Sequence, residues 1–146
     1  MNTIEKAIIF AAKAHRKQTR KGTDIPYITH PFAVGIYLQK ANCCEEVIAA
    51  GILHDTLEDT ETTYNDLKES FGDHVANLVL AASENDKSLP WEVRKQHTID
   101  MLKEASLEEV QVIVADKLHN LKSIRTDLNQ NGEIIWERFN RGKREQ

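Results

Sequence analysis

The chain has 146 residues, 40% of them hydrophobic and 29% charged, which suits one soluble domain, residues 1–146, with a core that needs no staples. Nineteen Lys and Arg against 23 Asp and Glu leave a net charge of −4. The sequence pI of about 5.9 argues against a nucleic-acid partner, since dedicated binders usually exceed about 9. No apolar run approaches the roughly 18 residues of a membrane span, and the N-terminus lacks the apolar core of a signal peptide. The only cysteines, Cys43 and Cys44, are adjacent and form no disulfide framework, so a reducing cytoplasm is the expected location.

The elements read as helices almost throughout. Ile4, Ile8, Ala11, Ala12 and His15 recur at helical spacing and predict a first helix over about Thr3 to Thr19, with Asn2 and Glu5 as its capping pair. Gly22 and Pro26 mark a loop. A second helix is predicted from Pro31 to about Lys40, and a third, mostly apolar and central, from about Cys44 to Leu57. Thr63 with Asp66 caps a short helix that Gly72 ends, and His74 to Ala82 forms the next. Ser83 to Leu89 is a polar loop, and Pro90 opens a helix reaching about Glu104. Ser106 and Glu109 start another, carrying Val110, Val114, Leu118 and Leu121 towards Leu128. Gly132 breaks it, and Ile135, Trp136 and Phe139 suggest one more amphipathic helix. The chain then stops in a charged run, Arg141 to Gln146, as a natural tail or a cut inside a larger helical unit. No stretch alternates with period two, so the expected class is all-α.

Two histidine-containing signals stand apart. The first is His54-Asp55-Thr56-Leu57-Glu58-Asp59-Thr60, which closes the most apolar helix. Close carboxylates repel one another unless protons or a cation intervene, and a divalent ion supplies that cation. In the second, Asp116 follows the apolar run Val112 to Ala115 and begins near the core, with Asn120 one turn along. Buried charges are usually paired or bound to metal. His30, His54, Asp55 and Asp116 together make a two-His, two-Asp set that suits manganese, iron or zinc. Four protein ligands on a six-coordinate ion leave positions for water and a phosphate oxygen. The plainer readings are a surface His-Asp pair, solvated Glu58 and Asp59, and a salt bridge from Asp116 to Lys117 or Arg125.

A third signal is basic. No acidic residue lies between Glu5 and Asp24, where Lys6, Lys13, Arg16, Lys17, Arg20 and Lys21 occur. These are helix-terminus cations or an anion-binding rim, since Arg matches phosphate oxygens. His15, His74 and His97 are expected to be exposed. His119 is expected to sit behind a metal ligand or against substrate, and the two cysteines to pack a helix start.

The run Arg20-Lys21-Gly22-Thr23-Asp24-Ile25-Pro26-Tyr27-Ile28-Thr29-His30-Pro31 resembles the opening of the hydrolase domain of RelA/SpoT-type proteins. So do Gly51 to Thr60 and Val114 to Leu121. Asn85 to Pro90, with Arg94-Lys95, is most similar to the stand-alone small alarmone hydrolases. The resemblance covers about Ala11 to Phe139. It implies an HD-domain metallophosphohydrolase helical bundle, possessing fewer C-terminal helices than its relatives. It further implies a Mn2+-dependent hydrolase that takes a small nucleotide, ppGpp or pppGpp, to GDP or GTP and pyrophosphate, and performs hydrolysis only. By motif, His30, His54, Asp55 and Asp116 match metal ligands, and Glu58 and Asp59 the pair that activates water. Arg20, Lys21, Asn120 and Ser123 match substrate contacts. The rival readings are an HD phosphohydrolase for a deoxynucleotide or NADPH, and a non-catalytic alarmone-binding sensor.

Overall fold

The computed structural model describes residues 2–83 and 88–131. Among these, eight helical segments run in the order α1 (Thr3–Ala14), α2 (Thr29–Lys40), α3 (Glu45–Leu53), α4 (Thr56–Asp59), α5 (Tyr64–Phe71), α6 (Asp73–Ala82), α7 (Trp91–Glu104) and α8 (Leu107–Asn131). The only β pairing among the described residues is one isolated bridge between Thr19 and Pro26. The all-α expectation therefore holds. The last predicted helix, around Ile135 to Phe139, and most of the Ser83–Leu89 loop lie outside the described residues.

Capping signals in the sequence place several helix starts. The Asn2 side chain accepts from the Glu5 amide at 2.8 Å. Thr63 and Asp66 satisfy each other's backbone N–H at 3.1 and 2.9 Å, a complete capping box. Ser106 accepts from the Glu109 amide at 3.2 Å. Gly72, at φ +89°, ends α5 and begins α6, a backbone state that a side chain would strain.

Helix α3 is the centre. Val47 to Leu53 are all buried, and α1, α2, α6 and α8 pack around them. The α2–α3 contact is close. A Cβ at Gly51 would stand 2.3 Å from Leu38 Cδ1 and 3.2 Å from Val34 Cγ1, and one at Gly35 would stand 2.7 Å from Ile52 Cγ1. The two glycines let the helices that carry His30 and His54 approach closely.

Four expectations need correction. The first helix stops at Ala14 rather than Thr19, because residues 18–20 pair across a loop: Tyr27 donates to Gln18 O at 2.8 Å and Arg20 to Ile25 O at 2.8 Å. The second begins at Thr29, so His30 lies in its first turn; Pro31 is tolerated there because first-turn N–H groups have no helical partner anyway. The third breaks at His54-Asp55 and resumes as α4. In α8 the side chains Val114, Leu118 and Leu121 point outward, 52, 41 and 59% exposed, while Val112, Ile113 and Ala115 are buried.

Gly51→Ala gains up to about 1 kcal/mol of helix propensity but must displace buried Leu38 and Val34. Overpacking typically costs about 1–3 kcal/mol, so thermal denaturation should show a net loss of up to about 2 kcal/mol.

Candidate metal centre

Four side chains from three places in the chain converge at the inner end of the α2–α3 contact. His30 comes from the first turn of α2, His54 and Asp55 from the break after α3, and Asp116 from α8. One donor atom from each lies within 4.8 Å of all the others. His30 Nε2 is 2.9 Å from Asp116 Oδ1 and 3.6 Å from Asp55 Oδ2. His54 Nε2 is 3.1 Å from Asp116 Oδ1 and 3.0 Å from Asp55 Oδ2. The imidazoles are each 1% exposed, and the carboxylates 13 and 15%.

The imidazoles are oriented from behind. His54 Nδ1 donates to Gly51 O at 2.6 Å, which leaves Nε2 as the nitrogen that faces the cluster and is free to bind a metal once it loses its proton. His30 Nδ1 meets His119 Nδ1 at 2.6 Å, and its Nε2 likewise faces the carboxylates. Asn120 donates to Asp116 Oδ1 at 3.3 Å, one turn along as expected. The plainer reading of Asp116 is partly realised as well: Lys117 Nζ is 3.3 Å from its other oxygen.

Burial and facing charges set the protonation. Burial opposes a charge on His54, but Asp55 and the hydrogen bonds to Asp116 and Asp55 outweigh it and hold the imidazole well above 6.5. Burial holds His30 below 6.5, with the neighbouring His54 charge adding to that effect. In the metal-free chain the imidazolium charge therefore sits on His54, and His30 is neutral. Burial pushes Asp55 up, but His54 wins and lowers it to about 2. Asp116 is also held far below the usual range, because hydrogen bonds from His30 and His54 overcome its burial. Burial, then His30 and Arg20, push His119 down to about 4, so it stays neutral.

Two neutral-capable imidazoles and two ionised carboxylates, all aimed at one point, fit a divalent metal ion. His30, His54, Asp55 and Asp116 would hold it, and the outer hydrogen bonds are those that orient metal ligands.

Beside the cluster lies an open groove of about 1190 Å³. Arg20, Lys21, Asn120 and Ser123, the residues matched by motif to substrate contacts, all line it. Arg20 donates to Asn120 Oδ1 at 3.4 Å and covers the Tyr27 ring at 5.8 Å. Lys95, Lys117, Lys122 and Arg125 add cations that the motif reading missed, and Tyr37 and Trp91 add aromatic faces. Lys122 stands over Tyr37 at 4.6 Å and Lys95 over Trp91 at 5.8 Å. The basic N-terminal rim narrows accordingly. Lys6 donates to Ser70 O at 2.9 Å, and Lys13, Arg16 and Lys17 line a separate cleft with Thr60 and Asp66. Glu58 and Asp59 fall on α4, half-buried and exposed respectively. The Asp59 amide donates to Asp55 O at 3.0 Å.

His74 and His97 are exposed as expected. His15 is not: it is 2% exposed, because α1 ends there and turns its ring inward against Tyr27, with ring centroids 5.0 Å apart. Cys44 caps α3 and Cys43 packs against the core. Tyr27 was missed altogether. Its phenol donates to Asp55 Oδ2 at 2.5 Å; burial and the Asp55 charge keep it protonated well above the usual phenol range.

The metal-free chain should respond to pH on two sides. His54 is raised, so its stabilising contribution is full below pH 6.5 and is lost as pH rises through its higher folded value. Asp55 is depressed, so its contribution is full above pH 3.8 and is lost as pH falls through about 2. Thermal melts in chelator between pH 2 and 9 should show both losses. A divalent ion must displace the His54 proton. Calorimetric titration at neutral pH should therefore give a binding enthalpy that tracks the buffer's ionisation enthalpy, and affinity should rise with pH.

Known proteins resemble this chain along most of its length. The family profile HD_4, described as HD domain, matches residues 7–144. Guanosine-3′,5′-bis(diphosphate) 3′-pyrophosphohydrolase MESH1 of Xenopus tropicalis is 37% identical over 125 residues, 84% of this chain and 69% of that protein. The crystal structure of lmo0812 from Listeria monocytogenes superposes with TM-score 0.73 at 48% identity, covering 79% of this chain and 74% of that one. The structure of a metazoan ortholog of SpoT that hydrolyses ppGpp superposes with TM-score 0.79 at 32% identity, covering 86% and 72%. Other curated relatives are far longer, and the chain spans 15–18% of their length. With nearly every residue inside the matched span and the His-Asp cluster at its heart, this chain belongs to the HD-domain family, among relatives that include MESH1 and SpoT.

Proposed function

We propose that this chain is a manganese-dependent 3′-pyrophosphohydrolase of ppGpp and pppGpp, releasing pyrophosphate and leaving GDP or GTP. The observation that carries the reading is the adjacency of a two-His, two-Asp cluster to a groove lined by six cations, Arg20, Lys21, Lys95, Lys117, Lys122 and Arg125, on a chain of net charge −4. Such segregation draws a polyanion to one face. The tetraphosphate-bearing nucleotide named for the MESH1 relative has that charge. The groove also holds Tyr27, Tyr37 and Trp91, whose faces suit a purine base.

When bound, the metal supplies charge neutralisation and Lewis-acid polarisation at the phosphate. The chain's own groups do the rest. Arg20 and Lys21 neutralise phosphate charge and orient the nucleotide, with Asn120 and Ser123 as polar contacts along the groove. Hydrolysis adds the elements of water across the bond between the ribose 3′ oxygen and the pyrophosphate. The hydroxyl goes to the released pyrophosphate and a proton to the 3′ oxygen. Glu58 and Asp59, one helical turn beyond the metal ligands His54 and Asp55, are the groups that take and return that proton. Manganese suits mixed imidazole and carboxylate donors. Among the described residues no helix is long and apolar enough to cross a membrane. The free thiols Cys43 and Cys44 suit a reducing cytoplasm, and the substrate is a small nucleotide rather than nucleic acid.

Asp55→Ala and Asp116→Ala should each abolish Mn2+ uptake and turnover together. Glu58→Ala should cut turnover by about 10²–10⁴ while Mn2+ remains bound. Quantifying pyrophosphate, orthophosphate and GDP from ppGpp, beside a deoxynucleotide and NADPH panel, tests the substrate. Pyrophosphate and GDP in equal amounts are expected. Orthophosphate release confined to another nucleotide, or binding of ppGpp without turnover in Mn2+, would contradict the reading.

A further inference from the structure

His15 is buried and Tyr27 half-buried, and neither the His15 ring nor the Tyr27 hydroxyl has a part in the chemistry described above. The Tyr27 phenol donates to Asp55 Oδ2 at 2.5 Å, the same oxygen that stands 3.0 Å from His54 Nε2 and 3.6 Å from His30 Nε2. One lone pair of that oxygen is thereby committed to the phenol, and the other is left facing the ligand cluster. The opposite parts of the Tyr27 ring are also engaged. Arg20 lies over it at 5.8 Å and His15 packs against it with centroids 5.0 Å apart. His15 is in turn fixed by a 2.8 Å bond from Nδ1 to the Gln18 side chain, and the Tyr27 amide donates to Gln18 O at 2.8 Å. The phenol is thus held by ring packing and by backbone pairing across the 18–27 loop, not by its bond to Asp55. A donor placed independently of its acceptor is what fixes a ligand's orientation before the ion arrives.

We propose that Tyr27 is a positioning residue that locks the Asp55 carboxylate in the rotamer presenting Oδ2 to the metal, and that the same ring seats Arg20 at the groove mouth, so that one side chain sets both subsites. The proposal rests on the reading of His30, His54, Asp55 and Asp116 as metal ligands. The test uses the full chain stripped of metal and titrated calorimetrically with Mn2+ alone. Tyr27→Phe removes the hydroxyl and keeps the ring. It should bind Mn2+ about 10–100-fold more weakly than the unaltered chain while the metal-free chain stays folded at the titration temperature, with turnover restored by excess Mn2+. Tyr27→Leu, which also removes the seat for Arg20, should in addition raise the KM for ppGpp at saturating Mn2+. Equal Mn2+ affinity in Tyr27→Phe, or a loss of turnover that excess Mn2+ does not restore, would overturn the proposal. An unaltered chain that takes up no Mn2+ would instead overturn the metal assignment beneath it.

Discussion

Two imidazoles and two carboxylates share one nearly dry point in this protein, and the rest of the structure is arranged around that fact. Groups of this kind are costly to bury unless they are paired. Here each is satisfied from two directions. On the inner side the four donors face one another; on the outer side Gly51 O, His119 and Tyr27 hold three of them, and Lys117 and Asn120 hold Asp116. Without a cation the arrangement holds His54 as the charged imidazolium. A divalent ion replaces the His54 proton with a larger charge and draws on the same geometry.

The fold explains how such a point is reached. The His in the first turn of α2 and the His at the end of α3 are brought together by helices packed so closely that Ile52, Leu38 and Val34 fill the space a side chain at Gly35 or Gly51 would need. The break after Leu53 matters equally. As a turn, residues 54 and 55 present His54 Nε2 and Asp55 Oδ2 3.0 Å apart. The groove then gathers cations from the 18–27 loop, α7 and α8, on a chain whose overall charge is negative. Charge is concentrated where a polyanion would be turned over, and the acidic surplus lies elsewhere.

Much of this was legible in the sequence, for identifiable reasons. Asn2, Thr63 and Ser106 announce helix starts through local hydrogen bonds that need no tertiary information. The His-Asp motif announces its site because packing alone seldom sets ionisable residues at the edge of apolar runs. What depended on tertiary packing was not legible. Spacing by threes and fours in α8 selects Val114, Leu118 and Leu121, yet Val112, Ile113 and Ala115 face α3 and α6, because Asp116 must face the cluster and sets the helix rotation. His15 sits among polar neighbours and looks solvated, but the chain turns back at that point and buries it. Tyr27 carries no signal of its own in one sequence, since a tyrosine in a loop becomes informative only once its hydroxyl is seen on Asp55. The helix expected around Trp136 falls outside the described residues.

The central claim is that these four side chains hold one divalent ion. A crystal of the full chain grown with Mn2+ and measured at the manganese absorption edge tests it directly. The account predicts a single strong anomalous peak within bonding distance of His30 Nε2, His54 Nε2, Asp55 Oδ2 and Asp116 Oδ1. A peak at some other group of side chains, or none while all four donors keep their present positions, would contradict it.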